Sequence, residues 1–454
     1  MKLAPFAFCC ALALSFSGAA TAQSGFSLPE ARAIAQQLLV SGQPRIAIGM
    51  ARALLDADPK DVQALILLSR AHKALGQSER SAQYGRRAYN AANAKNARFV
   101  AAMSVAEARA TQGRLTASQV WLRRAEQNAP NDQVRNRVVR DFRFVRHNNP
   151  WRVDLRFDLR PSDNVNNGTT SKGMTFTLFG QDFFFETPVS ALPLSGTEIS
   201  YGTTLSYRPK GLENRPLAFT LDFDGREIRL SSEARDLNPD AKNSDFTFHQ
   251  LSFGAKYDLV NTPTSSVSAG LSIGRNWYAS EHLSEIFRAN ISGGTAINST
   301  QIIGGGLDYD RRERQDAAER SSTTWTLRGY HSTNFENAGR LTFNLSTAKA
   351  NAISADYAYR SATFGARYAL DKAVLGAKMD FSISYTAKNF DRPLYSSDPR
   401  KDITTRVGTS LFFENASYLG FAPVVSFSAS RTDSNVARFD TEEIGISIGM
   451  RSTF

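Results

Sequence analysis

Five histidines could supply general-base or metal-binding chemistry: His72, His147, His249, His282 and His331. No two of them stand at the short spacing of a metal-ligand pair. His282-Leu-Ser284 is the arrangement to weigh, because two residues that are two apart on a strand point the same way, as a lipase-type base and nucleophile would need. The surrounding Glu-His-Leu-Ser-Glu is typical of a polar loop, here 279–299, which favours a solvated segment. We therefore expect no enzyme activity, no metal and no cofactor.

Two further patterns have simple structural interpretations. Gly304 to Gly306 lie within a strand pattern and no helix follows them, which favours a bend or close packing over a phosphate-binding loop. Along residues 151–160 arginine and aspartate alternate with apolar residues, so the charges share one face of a strand. That face is expected to be solvated.

The first 22 residues have the organisation of a secretory signal peptide. Lys2 precedes an apolar run over residues 3–16, and the small residues Ala20 and Ala22 mark a cleavage site before Gln23. The chain is therefore predicted to be exported by a bacterium.

Both cysteines of the chain, Cys9 and Cys10, lie inside this apolar run. The mature protein is therefore expected to have no disulfide and no thiolate chemistry. No later segment approaches 18 consecutive apolar residues, which excludes a helical membrane span by the usual length criterion.

The formal charge of +11 over 454 residues belongs to one part of the chain. Residues 23–150 carry 20 Lys and Arg against 9 Asp and Glu, whereas residues 151–454 carry 33 against 34. Export argues against a nucleic-acid partner for the basic segment. An anionic membrane leaflet, an acidic client protein and an ordinary solvated surface all remain open.

Residues 23–150 are predicted to form paired helices. Gly42, Gly76 and Gly113 are 34 and 37 residues apart, each between two helical patterns where a tight turn favours glycine. Small residues recur at matching offsets around the three glycines: Ala35, Ser69 and Ala106 before them, and Ala47, Ser81 and Ser118 after them. This pattern resembles the tetratricopeptide repeat, a helix-turn-helix unit that binds peptides or proteins. An alanine-rich helical bundle is the alternative.

Residues 151–454 alternate apolar and polar residues in many short runs, which predicts strands throughout. Polar loops separate the runs near 161–172, 231–244, 279–299 and 391–401, and the strand count is ambiguous by one near 173–196 and 352–371. A segment of about 300 residues is large for a single soluble β-sandwich. At about 22 residues for each strand and its connection, it would form roughly fourteen strands. We predict an antiparallel transmembrane β-barrel, since one wet and one apolar face also account for the mean hydropathy of −0.33.

The end of the chain favours the membrane barrel over a soluble sheet. The last residues of the chain alternate as a strand does. Its apolar residues would all point to one face: Ile444, Ile446, Ile448, Met450 and Phe454. Outer-membrane barrels end on such a strand with a terminal aromatic residue, which their assembly machinery recognises. The fold class predicted is thus an N-terminal α-helical repeat module followed by a membrane β-barrel.

Two short segments resemble the surface lipoprotein assembly modifiers, the Slam family. The first contains Asp163, Asn164 and Asn166 near the start of the barrel segment, and the second contains Ser434 and Asn435 before the last strand. The order of a short helical-repeat module and a barrel of about 300 residues is also similar to that family.

The resemblance implies an outer-membrane protein that delivers surface lipoproteins or related secreted proteins across the outer membrane, with its helical module in the periplasm. The partners implied are the client, outer-membrane lipids and the barrel-assembly machinery, and a periplasmic chaperone is a further candidate. Three alternatives stay open: export of a polysaccharide, a diffusion porin, and a barrel lipase that uses His282 and Ser284.

Overall fold

The computed structural model describes residues 26–178, 181–209, 211, 217–392 and 398–453. The chain divides into two compact units, one ending at Thr111 and the other beginning at Gln112. The predicted fold class is confirmed, since helices occupy residues 28–148 and a closed antiparallel barrel follows. The first unit contains α1 to α5, and the helices α6 and α7 belong to the unit that contains the barrel.

Seven helices precede the barrel: α1 (Leu28–Val40), α2 (Pro44–Ala57), α3 (Val62–Ala74), α4 (Ser78–Ala91), α5 (Lys95–Thr111), α6 (Leu115–Gln127) and α7 (Asp132–Asn148). Local signals explain their starts. Asp61 caps α3 by accepting a hydrogen bond from the Ala64 amide, and Asn131 caps α7 in the same way through Val134. Within the described residues, no helix is both long enough and apolar enough to cross a bilayer.

The predicted helix-turn-helix repeat is present. Gly42, Gly76 and Gly113 have φ values of 77°, 72° and 71°, a conformation that glycine adopts without steric cost, and each follows the end of a helix. The six small residues at matching offsets are all at most 1% exposed. In the second pair the Ser69 hydroxyl donates to the Ser81 carbonyl at 2.8 Å, so small size allows the two helices to approach closely.

His72 is buried in this repeat as a neutral side chain. Its ring stacks on Tyr84 at 5.2 Å between centroids, and its Nδ1 lies 2.7 Å from Gln77 Oε1, which accepts the ring proton. Nε2 has no hydrogen-bond partner among the described residues. Burial lowers the pKa of His72, and the nearby guanidinium groups of Arg80 and Arg52 act in the same direction.

Acidification is expected to destabilise the helical repeats through His72. The pKa of His72 is lower in the folded state, so the unfolded state binds more protons as the pH falls below about 6.5. The contribution of His72 to the free energy of unfolding is therefore full above that pH and declines below it. Thermal melts of the full-length protein followed by far-ultraviolet circular dichroism should show the helical transition moving to lower temperature on acidification. The variant His72→Phe should show a flatter dependence, and an unchanged pH dependence in that variant would contradict the assignment.

The barrel contains fourteen strands: β1 (Trp151–Ser162), β4 (Gly196–Tyr207), β5 (Leu217–Leu230), β6 (Phe248–Asn261), β7 (Ser265–Tyr278), β8 (Glu281–Ala296), β9 (Gln301–Arg314), β10 (Ser322–Phe335), β11 (Gly339–Ala352), β12 (Tyr359–Leu370), β13 (Lys378–Phe390), β14 (Lys401–Phe412), β15 (Phe421–Ser434) and β16 (Thr441–Ser452). Consecutive barrel strands pair antiparallel, and β1 pairs with both β4 and β16, which closes the cylinder. Closure removes exposed sheet edges. Every barrel strand has at least the 9–11 residues or so that cross a bilayer at a tilt.

The two faces of the wall differ as the alternation predicts. On β1 the apolar residues Trp151, Val153, Leu155 and Phe157 are 44–58% exposed on the outer face. The charged residues between them point into the barrel, where Arg156 bonds Thr204 and Asp224. The outer face therefore suits hydrocarbon and the inner face suits water.

The rim where β1 begins and β16 ends is here called the helix-side rim, and the opposite one the far rim. Connections at the helix-side rim have three to nine residues. At the far rim the connection from β1 to β4 runs over residues 163–195 and includes a separate hairpin of β2 (Gly173–Leu178) and β3 (Gln181–Glu186). The connection from β5 to β6 contains a short helix, α8 (Ser232–Leu237).

The predicted polar loop at 279–299 is wrong, because residues 281–296 form β8 in the barrel wall. The strand was not recognised because polar and small residues occupy outward positions of β8, where a barrel strand usually has apolar residues. Glu285 is one of these outward residues, and its charge is paired with Arg275 on the neighbouring strand β7 at 2.6 Å. The uncertain segment 173–196 lies outside the barrel, as the hairpin of β2 and β3 and its flanking loops, so it adds no strand to the wall.

The glycine run within β9 is a close-packing point, as expected. A Cβ atom at Gly304 would lie 2.5 Å from the ring of Tyr330, its register partner on β10. The aromatic ring covers the glycine backbone inside the barrel, and a larger side chain would displace it.

Candidate functional site

The helix pair α6–α7 is fastened to the helix-side rim by Arg123. Its Nη1 donates to the carbonyl oxygens of Leu419 at 3.1 Å and Gly420 at 2.9 Å, and its Nη2 donates to the Ser452 hydroxyl at 3.0 Å. Leu419 and Gly420 lie in the turn between β14 and β15, whereas Ser452 ends β16. One guanidinium group therefore joins α6 to the last strands of the barrel. We call this group of contacts the Arg123 latch.

Aromatic rings enclose the guanidinium on two sides. Its central carbon lies 4.9 Å from the ring centroid of Phe142 on α7 and 4.4 Å from that of Phe421 on β15. Burial lowers the pKa of Arg123 to about 10, and the positive charge of Arg146 contributes to the shift. That pKa is still far above neutrality, so Arg123 keeps its charge and all its donors at physiological pH.

Two weaker contacts support the same attachment. The Leu419 amide donates to Gln127 Oε1 at 2.9 Å. Arg146 on α7 lies 3.8 Å from Asp154 on the inner face of β1. The helix pair is thus held to the barrel at both its α6 and its α7 side.

Ion pairs cover the inner face of the barrel. Arg156 meets Asp224 at 2.7 Å, and Arg160 meets Glu198 at 3.1 Å and Glu443 at 3.0 Å. Three similar pairs lie on other strands: Arg288 with Asp310, Arg328 with Asp308, and Arg367 with Asp380. The arginine side chains of these pairs are 28–55% exposed and the carboxylate side chains 12–43% exposed, so water screens the pairs in part and each adds little stability. Arg156 and Arg160 of the charged face of residues 151–160 take part in these pairs.

The residues that suggested the family resemblance lie together at the far rim. Asp163 Oδ1 accepts from the Ile444 amide at 3.2 Å, and Asn164 Nδ2 donates to the Glu442 carbonyl at 3.2 Å, so both reach β16. Asn166 accepts from the Leu194 amide at 2.9 Å and thereby holds the long connection in place.

The second family-like segment stabilises the neighbouring turn at the far rim. Ser434 Oγ accepts from the Val436 amide at 3.2 Å, and Asn435 Oδ1 accepts from the Lys401 amide at 2.7 Å. Sequence alone did not show that the two segments lie at the same rim, because they are at least 268 positions apart. We call these five family-like residues the far-rim motif. Asp163 and Asn164 hold their loop to β16, and Asn435 holds its turn to the start of β14.

The other predicted site residues have separate locations. Ile444, Ile446, Ile448 and Met450 lie on the outer face of β16, 46–69% exposed. Phe454 lies outside the described residues, as do the cleavage-site residues Ala20, Ala22 and Gln23.

The proposed pairing of His282 and Ser284 does not form. A bulge in β8 pairs His282 with Trp277 and Ser284 with Asn276, so the two side chains point to opposite faces of the sheet. The fully buried Ser284 hydroxyl donates to Asn276 Oδ1 at 2.7 Å. Among the described residues no cluster of three or more His, Cys, Asp or Glu could hold a metal ion.

Sequence reasoning missed the Arg123 latch. Arg123 is one of 20 basic residues in 23–150, and its partners lie 296 or more residues away. No local pattern distinguishes it from Arg124 beside it, whose side chain stacks on Trp121 at 4.3 Å. Only the closure of the barrel brings the turn at 419–420 and the end of β16 to α6.

A closed antiparallel barrel with an apolar outer face and a charged inner face is the architecture of outer-membrane proteins, and this chain is of that class. Residues 242–454 match the family model described as surface lipoprotein assembly modifier. The match confirms, over these residues, the resemblance to the surface lipoprotein assembly modifiers that the sequence suggested.

Solved structures are similar to separate parts of the chain. The type III secretion translocator chaperone SycD of Yersinia enterocolitica aligns with 18% identity over 27% of this chain and 88% of its own, with a TM-score of 0.25. A bacterial polysaccharide outer membrane secretin aligns with 12% identity. The alignment covers 66% of this chain and 98% of the secretin chain, with a TM-score of 0.35. A loop-deletion mutant of the Vibrio cholerae outer membrane protein OmpT aligns with 10% identity. The alignment covers 67% of this chain and 99% of the OmpT chain, with a TM-score of 0.36. No curated protein matches the sequence.

Proposed function

We propose that this protein is an outer-membrane translocon component that delivers surface lipoproteins, or related secreted proteins, to the cell surface. The match of residues 242–454 to the surface lipoprotein assembly modifiers carries the proposal. The hydrated, charge-paired inner wall supports it, because such a wall offers a path for polypeptide without binding one sequence tightly. The function needs no covalent chemistry and no cofactor.

We place the helical module in the periplasm, after export by the predicted signal peptide and cleavage between Ala22 and Gln23. Outer-membrane barrels have short periplasmic turns and longer extracellular loops. The helix-side rim has connections of three to nine residues, whereas a far-rim connection spans residues 163–195. The same rim contains the end of β16, where the barrel-assembly machinery would recognise the last strand and Phe454.

The helical repeats are the part we assign to the client, or to a chaperone that brings it. They are built from paired helices of the kind that binds peptides in a groove, and the excess of positive charge in residues 23–150 would attract an acidic partner. The outer face of the barrel contacts outer-membrane lipids, and no nucleic acid is involved.

A surface-display assay tests this function. The trial client is an exported lipoprotein chosen from the neighbouring genes, and the readout is its accessibility to protease added to intact cells. We expect display to be lost when the gene is deleted and restored by the full chain. Display that persists without the gene would refute the translocon function.

A shortened chain tests the helical repeats separately. Removing residues 26–111 keeps the signal peptide, α6–α7 and the barrel, because the compact unit containing the barrel begins at Gln112. We expect the shortened protein to insert in the outer membrane and yet fail to display the client. Full display by an inserted, shortened protein would show that the repeats do not receive the client.

A further inference from the structure

Charged side chains on the outer face of the barrel are confined to its far-rim half. The register of the strands fixes which positions point outwards, starting from exposed apolar pairs such as Leu345 and Phe364. In the far-rim half, the outward positions of the described strands carry twelve charged residues: Glu227, Arg229, Arg275, Glu285, Arg311, Glu313, Lys349, Arg360, Lys401, Arg431, Asp433 and Glu442. In the helix-side half, the outward positions of the described strands carry no Asp, Glu, Lys or Arg. The two halves of the wall therefore present different chemistry to the membrane.

Much of this charge is neutralised within the wall itself. Three of the arginines have a carboxylate partner on the same outer face, at 2.6–2.8 Å: Arg275 with Glu285, Arg311 with Glu313, and Arg431 with Asp433. A guanidinium group that is paired in this way attracts an approaching anion only weakly, because the carboxylate cancels most of its field.

One stretch of the outer face has basic residues without such partners. Four outward residues with donor side chains stand in one register row across β11, β12, β13 and β14: Lys349, Arg360, Asn389 and Lys401. All four are exposed, and among the described residues none of their side chains has an ion pair or a hydrogen bond. We call these four residues the basic row. It extends over three strand spacings, or about 14 Å.

The arrangement of the basic row favours an anion between its side chains. Lys349 and Arg360 are directly opposite each other, so their Cβ atoms are about 5 Å apart, and like charges in that position destabilise a strand pair. The outward carboxylate on the adjoining strand β15, Asp433, is already paired with Arg431. A phosphate group between the basic side chains would remove the repulsion, because its oxygens accept charge-assisted hydrogen bonds from both lysine and arginine.

The wall next to the basic row suits the rest of a lipid. The first outward row towards the helix-side rim contains small residues: Thr347, Ala362 and Ala387. The second contains large apolar or aromatic residues that are 47–64% exposed: Leu345, Phe364 and Tyr385. At a strand tilt of about 40° these rows lie about 5 Å and about 10 Å from the basic row along the membrane normal. A lipid with its headgroup at the basic row would therefore place its acyl chains against the apolar row.

We propose that the basic row is a binding site for a phosphate-bearing lipid in the membrane leaflet at the far rim. The phosphate lies between Lys349 and Arg360. Asn389 and Lys401 supply further donors, and the acyl chains lie along the wall at Phe364. The bound lipid neutralises the row and fixes the depth of this side of the barrel in the membrane. The site is independent of the client proposed above.

The test is a lipid titration of the full-length protein in a neutral detergent, followed by native mass spectrometry. The probe is dioleoyl phosphatidic acid. Dioleoylglycerol has the same acyl chains without the phosphate, and glycerol phosphate has the phosphate without the chains. We expect phosphatidic acid to bind at least about tenfold more tightly than either control. Equal binding of dioleoylglycerol would overturn the proposal, because the site would then select only acyl chains. Equal binding of glycerol phosphate would overturn it as well, because the site would then take free phosphate.

Two triple variants with the same change of charge locate the site. The row variant combines three substitutions: Lys349→Gln, Arg360→Gln and Lys401→Gln. The control variant removes the three arginines that have carboxylate partners on the outer face: Arg275→Gln, Arg311→Gln and Arg431→Gln. We expect phosphatidic acid to bind about a hundredfold more weakly to the row variant, and within about threefold of wild type to the control.

The heat-dependent shift of the folded band on a gel verifies that each variant is folded. If the row variant does not fold, Lys349→Gln alone replaces it, with an expected loss of about fivefold. Wild-type affinity in the row variant, or in its single replacement, would overturn the proposal. Equal losses in the two triple variants would also overturn it, because net charge alone would then set the affinity.

A crosslink locates the acyl chains. A photoreactive benzoylphenylalanine replaces Phe364, or else Phe287, an outward phenylalanine opposite the ion-paired Arg311. The probe is phosphatidic acid with a fluorescent acyl chain, at a concentration that leaves most of the protein unbound. We expect about fivefold more crosslink at position 364 than at 287. Equal yields would overturn the proposal, since position 364 would then contact only bulk lipid. A dimer that the row variant abolishes would overturn it too, because the basic row would then bind a second copy of the chain.

Discussion

Replacing Ile446 by arginine is expected to prevent most of the protein from folding into the membrane. Ile446 lies near the middle of β16, on the outer face and 46% exposed, with apolar residues two positions away on either side. An arginine at the bilayer midplane of a barrel costs about 2–4 kcal/mol. Urea titration of the barrel in lipid vesicles, followed by the heat-dependent shift of the folded band on a gel, should show this loss.

The adjacent residue provides the control for this prediction. Ser447 pairs with Ser426 on β15, and both point into the barrel. Ser447→Arg adds the same side chain one residue along the strand, but into a hydrated interior that already contains arginines such as Arg156 and Arg160. It should cost far less than Ile446→Arg. Equal losses in the two variants would contradict the assignment of the outer face to lipid.

Replacing Arg123 by alanine is expected to release α6–α7 from the barrel. The substitution removes three charge-assisted hydrogen bonds to Leu419, Gly420 and Ser452, and it leaves a gap between the rings of Phe142 and Phe421. We expect the attachment to weaken by about 3 kcal/mol, roughly a hundredfold in the docking equilibrium. Limited trypsin digestion of the full-length protein in detergent should cut residues 112–150 faster, while the barrel stays resistant.

Arg137→Ala is the matched control, because Arg137 is exposed on α7 and its loss also removes one tryptic site. Arg123→Lys separates charge from shape, since lysine keeps the charge and lacks the planar fork that reaches two carbonyls and a hydroxyl together. We expect Arg123→Lys to be cleaved at a rate between those of wild type and Arg123→Ala. Wild-type cleavage of Arg123→Ala would show that the weaker contacts, such as Gln127 with Leu419, suffice for attachment.

Much of the candidate site was outside the reach of sequence reasoning, for identifiable reasons. The five far-rim motif residues were singled out by their types, but their hydrogen bonds to Leu194, Glu442 and Ile444 depend on loops that meet only in the folded barrel. The predicted loop at 279–299 failed because β8 carries Glu285 on its outer face, paired with Arg275 of β7. A single strand cannot reveal a partner on its neighbour.

The amino-acid sequence alone determined the element types outside β8, because each depends on spacing along the chain. A period near 3.6 with glycine turns at 42, 76 and 113 defined helix pairs, and strict alternation defined a wall with one apolar and one charged face. The tertiary structure decided the rest. Three features depend on residues that are hundreds of positions apart in the chain. They are the choice of Arg123 as the residue that fastens α6, the bonds of the far-rim motif to β16, and the pairing of β1 with β16. Barrel closure brings those residues together, and no local pattern encodes that closure.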